Sequence, residues 1–228
     1  LSSSSAASDV YKRQAKNVAK IFSSYFPHLV IFQGKTGKLI HAELWAIEQT
    51  DPPILILTGE SQPQEGPRGM FLVTNAILDL AQKWGIEKVV AVGGFKPAEI
   101  KGTPEVTGFA YTEKDADFLE SNDVKLFTEG RVSGAVGVLT ALAAERELTS
   151  FGLMGKVRTT DKPNFAFGVD PHAAKYVLEV FARLVGVEID FDKMEKMIAD
   201  IEQTEASAMK VIEQLDSKEE KGDKSYYI

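Results

Sequence analysis

The side chains best suited to proton or metal chemistry are three histidines, His28, His41 and His172, and no two of them are four positions apart. A His-x-x-x-His zinc pair, which needs both imidazoles on one helix face, is therefore absent, and each histidine is expected at the surface or as a cap. The chain has no cysteine, which excludes a disulfide scaffold, a thiolate zinc site and a cysteine nucleophile and fits a reducing compartment. A serine nucleophile on a strand–helix elbow would read G-x-S-x-G; the nearest segment, Gly130-Arg131-Val132-Ser133-Gly134, has the wrong spacing. The phosphate cradle G-x-x-x-x-G-K-[ST] is missing as well. Gly130, Gly134 and Gly137 open a helix expected over 135–147. Its N-terminal N–H groups could hold an anion, or the glycines could serve tight strand–helix packing. Arg68 and Arg131 sit beside glycines after expected strands, where active sites of α/β proteins gather. The carboxylates at 113–117 and 145–147 read as solvated faces. No catalytic residue, cofactor or metal ligand is assigned, and the chain reads as a non-enzyme.

The informative residues are Tyr226, Tyr227 and Ile228, the expected partner-binding site. Residues 216–225 before them carry four acids, Asp216, Glu219, Glu220 and Asp223, against three lysines, Lys218, Lys221 and Lys224, a net charge of −1. With Gly222 and no apolar side chain, this stretch is expected to be a solvated, flexible tether. Two aromatic rings and an isoleucine beyond such a tether have no core to join unless the chain folds back. Displayed tyrosines offer a large contact area with few rotatable bonds, which suits insertion into a partner.

The elements that must present this segment follow from periodicity. At 228 residues, 44% hydrophobic and 26% charged, the chain has the composition of one globular domain. Its net charge of −7 argues against a nucleic-acid surface, which needs clustered Lys and Arg. No apolar run approaches the roughly 18–20 residues of a membrane helix. Residues 1–14 show neither helical nor strand periodicity; they resemble a translated adapter and are expected to be a foreign or disordered leader, with the native start missing. Residues 16–26 carry apolar side chains at helical spacing, stopped by Pro27. A short apolar run at 29–32, a turn at 34–37 and a strand over 38–47 read as a hairpin. Strands are expected at 54–57 and 88–92, both buried, and at 107–111, 124–127 and 151–154. Helices are expected at 70–84, 115–119, 134–147 and 171–185. Such alternation implies a single α/β domain over 15–191, its mixed, largely parallel sheet covered by helices on both faces. Over 192–215, Met194, Met197, Ile201, Thr204, Ala208, Val211 and Leu215 recur three and four apart. This seam belongs to an amphipathic helix packing either on its own domain or on a neighbouring subunit; residues 216–228 follow as tether and motif.

The chain from about 17 to 215 resembles the proteasome assembly chaperone family in its archaeal branch. The resemblance rests on Ile54-Leu55-Ile56-Leu57-Thr58-Gly59-Glu60, Val90-Ala91-Val92-Gly93-Gly94, the run Glu129 to Gly137 and Val169-Asp170-Pro171-His172-Ala173-Ala174, in that order and spacing. Tyr226-Tyr227-Ile228 looks like the hydrophobic-Tyr-X tail with which family members and proteasome activators dock on the 20S α-ring. The resemblance implies a phosphorylase-like α/β fold without catalytic residues, a cytoplasmic homo-oligomer, and the 20S proteasome α-subunits as partner. It also implies action as an assembly chaperone or as an ATP-independent activator. A nucleoside-phosphorylase-like enzyme with Arg68 or Arg131 on phosphate is the alternative on the same architecture. Two departures stand out: the Gly-rich first strand expected before Asn17 is replaced by the leader, and 156–168 is longer and more polar than the family pattern.

Because residues 1–14 carry no pattern that could join a core, their removal is expected to leave the melting temperature unchanged. A thermal melt of the shortened chain checks this; a drop of several degrees would count against it.

Overall fold

The computed structural model describes residues 15–96, 105–157, 170–204, 206 and 207. The first element among the described residues is strand β1 (Lys16–Ile21), where the helical spacing of Val18, Ile21 and Phe22 pointed to a helix. Burial alternates strictly along it, with Asn17, Ala19 and Ile21 inward and Lys16, Val18 and Lys20 outward. That period of two is the one the sheet selects. β1 pairs antiparallel with β4 (Ala42–Ile47), and β4 with β5 (Ile54–Gly59). Between them β2 (Val30–Gln33) and β3 (Thr36–Leu39) form a separate hairpin around Gly34-Lys35. Helix α1 (Gly66–Lys83) covers this half: its Val73 and Ile77 meet Phe26, Ile40, Ala42 and Ile31 in one apolar cluster.

The second half is built on β8 (Thr149–Lys156), flanked by β6 (Lys88–Phe95) and β7 (Val106–Ala110). Phe151 and Leu153 lie wholly buried against Leu119 of α2 (Glu113–Ser121) and Val177 and Leu184 of α4 (Pro171–Val185). On the opposite face the Ser150 hydroxyl donates to the Thr140 carbonyl of α3 (Gly134–Ala144) at 2.8 Å. Helices thus cover both faces of this sheet. Two of them start where capping chemistry dictates. Thr112 accepts from the Asp115 N–H and donates to its carboxylate, which also accepts from the Ser150 N–H of β8 at 3.2 Å. Asp170 accepts from the N–H groups of His172 and Ala173 ahead of a proline in the first turn, the arrangement that satisfies orphan helix donors.

The α/β class holds and the sheets are mixed, but the expected largely parallel sheet is corrected. Among the described residues one ladder, β6 with β8, is parallel, whereas β1–β4, β4–β5, β2–β3 and β7–β8 are antiparallel. β2 with β3 and β4 with β5 are joined directly by short connections, which permit only antiparallel neighbours. Residues 54–57 are not buried as expected: β5 ends its sheet, and Leu57 is exposed. Residues 124–127 make a single parallel bridge, Leu126 to Gly108, rather than a strand. No described helix is long and apolar enough to cross a membrane.

Helix α5 covers residues 192–204 among those described. Met194, 2% exposed, and Ile198 pack with Ala174 and Leu178 of α4. The Lys175 ammonium meets Glu195 at 2.6 Å and His172 meets Glu202 at 3.0 Å. Of the expected seam, Met197 is 44% exposed and Thr204 is exposed. The start of this helix therefore lies on its own domain, through positions 194 and 198 rather than 194 and 197. Ala208, Val211 and Leu215 lie outside the described residues.

Met194→Ala is expected to cost about 2–5 kcal/mol, whereas Met197→Ala should stay within roughly 0.5 kcal/mol. Urea denaturation of both variants measures the difference, and equal costs would refute this docking of α5.

Candidate functional site

Tyr226, Tyr227 and Ile228 lie outside the described residues, together with the 216–225 tether. The described residues do place the other candidates. His28 is exposed, with Nε2 2.8 Å from the Ser24 carbonyl, and His172 sits in the first turn of α4 against Glu202. His41 departs from expectation: it is 3% exposed, not a surface residue. Its ring stacks on Phe22, centroids 4.9 Å apart. Its Nδ1 lies 2.6 Å from the Leu39 carbonyl and its Nε2 3.0 Å from the Glu43 carboxylate. The other Glu43 oxygen accepts from the Trp45 indole N–H at 3.0 Å. Lys38 bridges Glu43, at 3.5 Å, and Glu60, at 3.2 Å. Polar groups this enclosed persist only when bonded on all sides, and here they tie the end of β3 to β4 and to the residue after β5. Burial pushes the Glu43 carboxyl up, but the Trp45 hydrogen bond, the Lys38 charge and the His41 contact outweigh it and hold the group below its ordinary value.

This network is missed when histidines are searched only for helical partners. Its signal is the alternation His41-x-Glu43-x-Trp45, which places all three on one face of a strand.

Arg68 and Arg131 are both exposed. Arg68 lies in the first turn of α1, and Arg131 precedes α3. The start of α3 is already filled: the Gln62 side-chain carbonyl accepts from the Ala135 N–H at 3.0 Å, the place an anion would take. The adjacent Ser133 makes no side-chain cap. Gly134 holds φ +78°, and a Cβ on Gly137 would come within 2.5 Å of the Val132 carbonyl oxygen. The close contacts of these glycines are thus with the preceding loop and with Gln62 rather than with a strand, where strand–helix packing was expected. Among the described residues no cluster of three or more His, Asp or Glu side chains is placed to hold a metal ion.

Comparison with known proteins adds the frame for these observations. The family model described as the PAC2 family matches residues 10–209. An uncharacterised protein of Methanocaldococcus jannaschii is 28% identical over 196 residues, 85% of this chain and 72% of its own. The fold is similar to that of Pyrococcus furiosus PbaB, described as an archaeal proteasome activator: TM-score 0.72, 24% identity, 90% of this chain and 86% of that one. It is also similar to Pyrococcus furiosus PbaA, described as an archaeal homologue of proteasome-assembly chaperone: TM-score 0.73, 22% identity, 98% of this chain and 88% of that one.

The depressed Glu43 carboxyl fixes the sign of a pH effect. A carboxyl that releases its proton more readily in the folded state stabilises fully above its unfolded pKa, and the contribution is lost as pH falls through the folded value. Glu43→Gln is therefore expected to be less stable than the parent at pH 7, by about 1–3 kcal/mol. The difference should shrink as pH drops below about 5. Urea midpoints across this range provide the check; a constant difference would show that the charge is not responsible.

Proposed function

The chain belongs to the PAC2 family, and on that footing we propose that it is a proteasome assembly chaperone or an ATP-independent proteasome activator. The observation that carries this reading is the sharing of the fold, nearly end to end, with one protein described as a proteasome activator and another described as a homologue of an assembly chaperone. The reading assigns the chain no chemistry of its own; it acts in the cytoplasm by binding.

The segment Tyr226-Tyr227-Ile228 would do the binding, by inserting into a groove between adjacent 20S α-subunits. In a chain ending at Ile228, a lysine in that groove captures the carboxylate, while the Tyr227 ring packs beside it and its hydroxyl is hydrogen-bonded. Tyr226 needs only to bury an apolar ring. A ten-residue tether has a root-mean-square span of roughly 17–19 Å and extends to about 35 Å, reach enough to leave the domain surface. Single tails of this kind bind weakly. A homo-oligomer presenting several of them gains by avidity.

Pull-down and surface-plasmon measurements against archaeal 20S proteasome test the reading, using the chain ending at Ile228, the same chain ending at Ser225, and Tyr227→Ala. Ending the chain at Ser225 withdraws the carboxylate, and losing that charge-assisted contact alone is worth roughly 1.5–3 kcal/mol. Affinity per tail should then fall by at least about one to two decades, and Tyr227→Ala should also weaken binding, while the melting temperature holds in both. Retained binding by both altered chains would overturn tail docking. Stimulated peptide hydrolysis by mature 20S marks an activator, and faster α-ring formation marks an assembly chaperone.

A further inference from the structure

The hairpin of β2 and β3 carries its apolar side chains mainly on one face. In an antiparallel pair directly opposed residues share a face, so the register Val30↔Leu39 and Phe32↔Gly37 sets Val30, Phe32 and Leu39 on one side. The pair Ile31↔Lys38 lies on the other, where Ile31 joins the cluster under α1 and Lys38 reaches Glu43 and Glu60. The first side is open to solvent. Phe32 is 74% exposed, Phe22, which shares a recess with Val30 and Leu39, 57%, and Leu29, Val30 and Leu39 are each about half exposed. A two-stranded hairpin is marginal by itself, and a contiguous apolar face left in water marks a contact surface.

Its shape says what it contacts. Gly37 has no side chain, and a Cβ there would stand 3.1 Å from the Phe32 ring; the ring leans over the bare backbone as a projecting knob. Immediately beside it, Phe22, Pro27, Leu29, Val30, Leu39 and Ile40 line a recess of about 590 Å³. Knob and recess on one patch are self-complementary: under a two-fold axis each copy's Phe32 enters the other's recess, the isologous arrangement of homodimers. The patch supplies a large part of the area an interface needs. At roughly 150–250 Å² per aromatic side chain, Phe22 and Phe32 alone leave on the order of 200–300 Å² in water. The three aliphatic neighbours raise the patch to on the order of 500 Å², toward the top of the range for monomer surfaces and more than half of the ~800 Å² each partner contributes to a stable interface.

We propose that this hairpin face is a self-association surface, occupied by the same face of a second copy with Phe32 as its anchor. The inference deepens the self-association put forward above, and its readout does not involve the proteasome, so the two can fail separately. Sedimentation velocity of the full chain at tens of micromolar should show a dimer or a higher assembly. Phe32→Asp and Leu39→Asp should weaken association at least tenfold with unchanged circular dichroism, while Met197→Asp, on the exposed side of α5, should not. A parent chain that sediments as a monomer, or aspartate variants that remain assembled like the parent, would overturn the proposal. The absence of native cysteine allows a second measurement that does not depend on either aspartate variant folding. The thiol of Phe32→Cys should react with a maleimide more slowly as protein concentration rises; a rate independent of concentration would equally overturn it.

Discussion

Strand β8 is enclosed on both faces, by Phe151 and Leu153 packed under α2 and α4 and by Ser150 against α3. A backbone so enclosed has no water to bond, and every one of its donors and acceptors must find a partner inside the protein. The ladders to β6 and β7 meet that demand along both edges. Ser150 extends it to the helices, since its N–H is held by Asp115 of α2 and its hydroxyl holds the Thr140 carbonyl of α3. The same few bonds that satisfy a buried polar residue also set where two helices lie. α4 completes the cover, and through Ala174 and Leu178 it supports α5. The placement of the segment leading toward the tail thus traces back to the burial of one strand.

The N-terminal half works under a looser constraint. Its three-stranded sheet carries α1, and its hairpin keeps one apolar side in solvent. The polar network of His41, Glu43 and Trp45 stiffens the join between hairpin and sheet without closing that side. A domain divided in this way has a rigid half that fixes the C-terminal helices and a half with surface left over for contact.

Much of the rigid half was legible in the sequence, because local chemistry and global packing agree there. Asp170 before Pro171 and the left-handed Gly186 bracket α4 at both ends, and β6 and β8 are short apolar runs of strand length. The misses fall where one pattern admits two periods. Val18, Ile21 and Phe22 satisfy a helical spacing, yet Ala19 and Ile21 face inward at a spacing of two, and only pairing with β4 decides between them. The direction of pairing was not legible from strand composition, since Ile54-Leu55-Ile56-Leu57 looks like a buried parallel strand but forms an antiparallel edge. His41 was misjudged because a lone histidine carries no sign of burial until its strand partners are counted at every second position. The tyrosines at 226 and 227 are legible in sequence alone, and nothing in the described residues bears on them.

The parallel ladder of β6 with β8 has a consequence for how the chain acquires its shape. Ala42 pairs with Gly59 across a short connection, so the first sheet can zip as soon as residue 59 is available. Lys88 pairs with Thr149, and β7, α2 and α3 intervene. Closing so long a loop costs more entropy before any contact rewards it, and non-local pairing of this kind slows folding. On a ribosome the two halves would therefore mature at different times. The early half settles during synthesis, while Val89, Val90 and Val92 wait without their neighbouring strand until Lys156 has emerged. In that interval the apolar side chains of β6 stay in water, and the strand gains its cover only when β8 arrives to pair with it.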